Sequence, residues 1–295
     1  MYRLNHCDFS RGRLNMYATG YFDMNRHPPP SAGKWYDRQH KVGVSRSVTS
    51  TDSNRLSSNA TPPFKLAPQI KNIAKMEWTP MEINPEMLNM LMGSLGVGES
   101  WRFVDVVGLE DEQLSAVPKP CCALMLLFPL TQQHESFRQQ QTDKVGGDSE
   151  VYFLKQTAVN SCGTIALLHA VANNKSKPAF ASGSVLKKFL DETANMSADD
   201  RAKHLEQNQA IRDAHNEVAS QGQCRPEADK INFHFIAFVN VNGQLYEFDG
   251  KMNGPVKHGD TKDDSFIADA AKVCRGFMER EHGEVRFSSV ALCQS

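Results

Sequence analysis

A cysteine follows a glutamine by six positions in the run Lys155-Gln156-Thr157-Ala158-Val159-Asn160-Ser161-Cys162-Gly163-Thr164. The residues after it, Thr164 to Ala172, are apolar and read as a helix, and Val151 to Leu154 before it reads as a strand. A thiol in the first turn of a helix sits among unpaired backbone N–H groups at the positive end of the helix dipole, and both favour the thiolate. A thiolate there is a nucleophile for acyl transfer. The Gln156 amide and the Cys162 backbone N–H would then hold the oxyanion of a tetrahedral intermediate. The same cysteine would serve as well for packing, since Cys is among the most buried residue types. What separates the two readings is a base and a group to orient it.

Both occur together downstream. The stretch Ile231 to Val239 is aromatic and β-branched and reads as a strand. Asn242-Gly243 follows, a strong hairpin signal, and Gln244 to Gly250 reads as the return strand. A two-residue turn sets Val241 opposite Gln244 and Ile236 opposite Asp249. Side chains alternate faces along a strand, so His234, Ile236 and Asp249 share one face. His234 and Asp249 become diagonal neighbours at roughly 7–8 Å, a gap that long side chains bridge. The aspartate would accept the His234 Nδ1–H, fix the tautomer and stabilise the imidazolium. Singly, His234 reads as a satisfied core histidine and Asp249 as a turn residue before Gly250. Together they read as an orienter and a base.

Several runs resemble the ubiquitin carboxyl-terminal hydrolases, a papain-like family of cysteine deubiquitinases. They are Gln156, Asn160-Ser161-Cys162-Gly163-Thr164, Asn232-Phe233-His234-Phe235 and Leu245-Tyr246-Glu247-Phe248-Asp249-Gly250. Met81 to Asn89, Trp101 to Val106 and Phe287 to Cys293 are most similar to a short branch of that family abundant in vertebrate brain. The resemblance covers Met76 to the C-terminus. It implies Cys162 as nucleophile, His234 as general base and acid, Asp249 as orienting carboxylate and Gln156 as oxyanion donor. It also implies ubiquitin as partner, with small or unfolded adducts released from its C-terminal glycine. Ser220 to Lys230 matches the family's loop that spans the active site and limits adduct size. No cofactor or metal is implied. A rival reading keeps the same surface for a low-turnover protein that binds and stabilises mono-ubiquitin.

The elements that must position these residues are legible in outline. Asn84 caps a helix with Pro85 at its first position, and Leu88, Leu91, Met92 and Leu95 form its apolar stripe up to Gly96. Trp101 to Val107 and Ala123 to Phe128 read as strands, and Cys121 to Phe128 is the longest apolar run, of central-strand character. His134 to Gln141 reads as a short polar helix. Ser197 begins a capping box and one polar helix through about Ala219. Ile267, Ala270, Ala271, Cys274 and Phe277 share a helix face, and Val285 to Leu292 reads as a closing strand. The class is α/β (α+β), with helices on both faces of a mostly antiparallel sheet. The resemblance implies a papain-like α-β-α fold with a knotted chain path.

Charge divides the chain. Of 33 Lys+Arg and 34 Asp+Glu residues, 12 and 4 lie in residues 1–75, leaving 21 and 30 beyond them. The acidic remainder suits a basic partner such as ubiquitin through long-range steering, and is equally an ordinary soluble surface. Residues 1–75 hold Pro28-Pro29-Pro30, a Ser/Thr-rich stretch and Thr61-Pro62-Pro63, so they read as a disordered or non-native extension before a catalytic domain over 76–295. Seven cysteines without Cys-x-x-Cys or zinc spacing indicate reduced thiols and a cytoplasmic protein. His169 reads as a core residue, and Cys224 as an exposed loop thiol. Only Gln294 and Ser295 follow Cys293, so no prenylation box is expected. A monomer or weak dimer is expected, with no nucleic-acid partner and no integral membrane segment.

Overall fold

The computed structural model describes residues 78–146, 150–222 and 233–295. In chain order the first half holds α1 (Pro85–Ser94), β1 (Trp101–Val106), α2 (Asp111–Leu114), β2 (Cys121–Pro129), α3 (Gln132–Gln140) and α4 (Cys162–Ala172). The second half holds α5 (Val185–Thr193), α6 (Ala198–Gln207), α7 (Gln209–Gln221), β3 (Phe233–Val241), β4 (Gln244–Phe248), β5 (Val256–Asp260), α8 (Phe266–Arg280) and β6 (Ser288–Gln294).

Six strands form one sheet in the order β1-β6-β2-β3-β4-β5, and each neighbouring pair is antiparallel. Every residue of β2 is buried, as its unbroken apolar run requires of a strand covered on both faces. One core lies between the sheet and α1, α4, α5, α6 and α7. The other lies between the sheet and α8 with α2. This is the expected class, helices on both faces of an antiparallel sheet.

The start of α1 follows its sequence signals. The Asn84 side chain accepts from the Glu86 N–H, Pro85 stands first, and Leu88, Leu91 and Met92 are buried. Elsewhere local patterning gives way to tertiary contacts. The single helix expected from Ser197 to Ala219 is two, because Asn208 adopts φ −81° and ψ 92° and its side chain accepts from the Ile211 N–H, capping a new helix. Val151 to Leu154 is no strand. Its backbone is held instead by side chains of α4 and its C-terminal cap, His169 on Leu154 and Asn173 on Tyr152. The last strand begins at Ser288, later than expected. Elements α2, α5 and β5 lie outside the sequence expectations.

Candidate active site

Cys162 is the first residue of α4, whose cap residue Ser161 makes no side-chain bond to the helix N–H groups. The Ser161 hydroxyl donates to the Ala158 carbonyl at 2.9 Å instead. Gly163 through Ala172 are all buried, so the helix dipole acts in apolar surroundings and reaches Cys162 with little screening. Cys162 itself is half-buried. Burial pushes its thiol up, but the His234 hydrogen bond and charge pull it down, together with hydrogen bonds to the backbone of Phe235 and Gly163. The net direction is below the ordinary thiol value. Gly163 permits this approach, because a Cβ there would stand 2.9 Å from Met81 Cε and 3.4 Å from the Phe235 ring.

The hairpin supplies the histidine and the carboxylate. Asn242 and Gly243 have φ of 52° and 79°, the two-residue turn whose twist matches its strands. Val241 faces Gln244 and Ala237 faces Phe248, so the next pair along is Ile236 and Asp249. His234 and Asp249 then meet at 2.6 Å, both almost fully buried. The contact uses Nε2, however, and not Nδ1 as the sequence argument supposed. Nε2 is the outer ring nitrogen, and it takes the outer nitrogen to span the diagonal gap between strands. Nδ1, nearer the backbone, is thereby left for the Cys162 thiol.

Charge on the three groups is cooperative. Burial pulls His234 down, yet the Asp249 charge and hydrogen bond, with those of Cys162, raise it to about 9. Burial pushes Asp249 up, but the His234 charge and hydrogen bond, the Arg138 charge and the Lys251 N–H hold it well below the usual carboxylate range. All three shifts run toward a thiolate, an imidazolium and a carboxylate in series.

Sequence reasoning missed Arg138. Its Nε donates to Asp249 Oδ2 at 2.8 Å, and its Nη1 to Glu135 at 2.8 Å. Arg138 lies on α3, which α8 holds in place. Thr131, the cap of α3, donates to Glu281 at 2.8 Å, while His134 and Phe137 pack on Phe277 and the Arg280 guanidinium lies over Phe137. His134 also lies edge-on to Phe128, ring centres 4.5 Å apart, and Phe128 in turn lies edge-on to His234 at 5.9 Å. The one sequence signal was a cation three residues after an acid on an otherwise polar helix.

Gln156 is anchored through its backbone. Its N–H donates to the Gly250 carbonyl at 2.7 Å, which fastens it to the residue after Asp249. Its side-chain NH2 makes one long contact, 3.3 Å to the Ala158 carbonyl, and its Oε1 is buried without a partner. Gly250 makes the junction possible, since a Cβ there would lie 3.0 Å from both Gln156 Cβ and Ile165 Cγ2. His169 belongs to the core, fully buried, with Nε2 on the Leu154 backbone and its ring stacked on Phe153. Cys224, most of the 220–230 loop and residues 1–75 lie outside the described residues.

A family profile described as ubiquitin carboxyl-terminal hydrolase, family 1, matches residues 78–279. The chain belongs to that family. The hydrolase is 60% identical over 223 residues to ubiquitin carboxyl-terminal hydrolase isozyme L1 of Homo sapiens, covering 75% of this chain and 100% of the relative. Against the Bos taurus isozyme L1 the identity is 53% over 252 residues, again covering 75% of this chain and 100% of the relative. Its fold is similar to that of the Trichinella spiralis UCH37 catalytic domain, solved bound to ubiquitin vinyl methyl ester. That match has a TM-score of 0.63 and 22% identity, and covers 76% of this chain and 99% of that one. The hydrolase is thus a cysteine-type enzyme by family. Among its described residues no helix is long and apolar enough to cross a membrane.

Proposed function

We propose that the protein hydrolyses bonds at the C-terminal glycine of ubiquitin, with Cys162 as nucleophile and residues 76–295 as the catalytic domain. The observation that carries this reading is His234 placed between Cys162 and Asp249 as the shared partner of both. The thiolate attacks the glycine carbonyl, and the oxyanion is held by the Cys162 N–H and the Gln156 amide, whose NH2 has only a long contact to give up. The His234 imidazolium protonates the leaving amine or thiol. It then takes a proton from water, which resolves the acyl-enzyme. Asp249 holds the ring by Nε2 throughout and stays ionised.

Only ten residues join Gly222 to Phe233, and the family resemblance implies that this connection restricts adducts to small or unfolded ones. The free thiols suit a reducing compartment, the cytoplasm.

A fluorogenic C-terminal amide of ubiquitin tests the reading. Turnover is expected from the wild-type chain and none from Cys162→Ala, while both bind ubiquitin. Gln156→Ala should lower kcat by roughly 10²–10³-fold with binding retained. Wild-type turnover at the Cys162→Ala background, with binding intact, would establish the mono-ubiquitin-binding alternative. Efficient cleavage of folded di-ubiquitin would refute the adduct restriction.

A further inference from the structure

Strands β2 and β6 are neighbours at the centre of the sheet, and a cysteine stands at the same end of each. Cys121, first in β2, is the direct cross-strand partner of Cys293, next to last in β6. Strict alternation would put Cys121 on the face of Ala123, Met125 and Leu127. The register instead slips between Cys121 and Ala123, leaving Cys122 as the extra residue of a bulge. Cys122 and Ala123 therefore face one core together with Met125 and Leu127. Cys121 is turned to the other core, where Cys293 also lies. The bulge is what brings the two thiols onto one face.

The ladder fixes their separation. The Gln294 N–H donates to the Pro120 carbonyl at 3.0 Å, one step beyond the cysteines. Bonded and non-bonded pairs alternate in an antiparallel ladder, so Cys121 and Cys293 form a non-bonded pair, the closer kind, with Cα atoms roughly 4.5 Å apart. That falls inside the range of roughly 4.4–6.8 Å that a disulfide spans. The neighbouring Cys293 thiol holds Cys121 below its ordinary value against its burial, helped by the charges of Lys119 and Lys177. The same pairing, with burial, pushes Cys293 up. Both are buried, but Pro118 to Pro120 and Gln294 and Ser295 beside them are exposed, so opening this strand end costs little.

We propose that Cys121 and Cys293 are a reversible redox site, closed to a disulfide by hydrogen peroxide and reopened by a small thiol. The Cys121 thiolate attacks one peroxide oxygen, the O–O bond breaks and hydroxide leaves, giving a sulfenic acid. The Cys293 sulfur attacks that sulfur and the S–O bond breaks. The Cys293 proton and the departing hydroxide form water. Two electrons pass from the sulfurs to the peroxide, and two reductant thiols return them by exchange.

The test uses the full chain carrying Cys162→Ala, which removes the catalytic thiol from competition. After peroxide, alkylation and proteolytic digestion, mass spectrometry should find the Cys121 peptide joined to the Cys293 peptide, two hydrogens lighter than the separate pair. The thermal midpoint should rise by about 5 °C and fall back with dithiothreitol. Cys121→Ala and Cys293→Ala should each abolish the linkage, and Cys122→Ala should keep it. Recovery of the two peptides unlinked or as sulfonic acids, or linkage through Cys122, Cys7 or Cys224, would overturn the proposal. Detecting the linkage needs only the Cys162→Ala chain, so a folding failure of the other variants does not blunt it.

Discussion

Arg138 Nε meets Asp249 Oδ2 at 2.8 Å, on the carboxylate oxygen that His234 leaves free. The Lys251 N–H adds a further contact at 2.8 Å to Oδ1. A buried carboxylate is thus satisfied on both oxygens, by a strand, a turn and a helix. Replacing Arg138 by Met takes away one charged partner and keeps the side-chain volume. Stability at neutral pH should fall by about 2 kcal/mol, read by denaturant unfolding, with part recovered in Arg138→Lys. A variant as stable as wild type would show that Arg138 does not support Asp249.

Asp249→Asn removes the charge that lifts His234. Burial then dominates, so the histidine drops from about 9 toward or below its ordinary 6.5, and the thiolate loses its counter-ion. At neutral pH the wild-type chain should show the ultraviolet absorbance of a thiolate and the variant should not. Its kcat/KM should fall by roughly 10²–10⁴-fold.

Stability should fall as pH drops below 6.5. Burial holds His134 and His169 down to about 3 and His215 down to about 4, with the Arg138 charge adding to the effect on His134. Below the ordinary value of 6.5 the unfolded chain binds protons at these sites and the folded chain does not. Stability therefore falls with pH there, by up to about 4 kcal/mol per unit for three such groups. His234 has the opposite sign. Its raised value contributes stability that is complete below 6.5 and is lost as pH rises through about 9. Cys162 and Asp249, both held below their ordinary values, have the opposite sign to His234, so Cys162 offsets part of its alkaline loss. Unfolding free energies should be lower at pH 5 than at pH 6.5, and Asp249→Asn should remove the His234 contribution on the alkaline side together with Asp249's own on the acid side.

Two glycines beside the site should respond unequally to alanine. At Gly163 the nearest obstacle is Met81 Cε, the flexible end of a side chain that moves aside. At Gly250 the new methyl meets Gln156 Cβ, Ile165 Cγ2 and, at 3.3 Å, the Gln156 backbone nitrogen. Gly250→Ala should cost about 2 kcal/mol and lower kcat by displacing Gln156, whereas Gly163→Ala should cost less than half as much. Equal losses in thermal and kinetic assays would contradict this ranking.

Within the hairpin nearly everything was legible. His234 and Asp249 are separated by 15 positions, the Asn-Gly turn permits one register, and period two assigns the faces. The start of α4 at Cys162 was likewise written in the change from loop to apolar run. Asn208 was not legible as a break, because an asparagine within a polar helix and one capping a second helix look alike until the Ile211 N–H is seen on its side chain.

By itself the sequence determined the local matters, namely which residues form the hairpin, where α4 begins, and which chemistry-bearing types are present. Only the tertiary structure decided that His234 offers Nε2 to Asp249, that Arg138 arrives from 111 residues away, and that a bulge turns Cys121 toward Cys293. Backbone turn preferences and side-chain alternation act over a few residues and can be read from neighbours in the chain. The position of Arg138 depends on how α3 packs against Phe277 and Arg280 of α8, and a helix's polarity pattern gives its exposed face but not what that face meets.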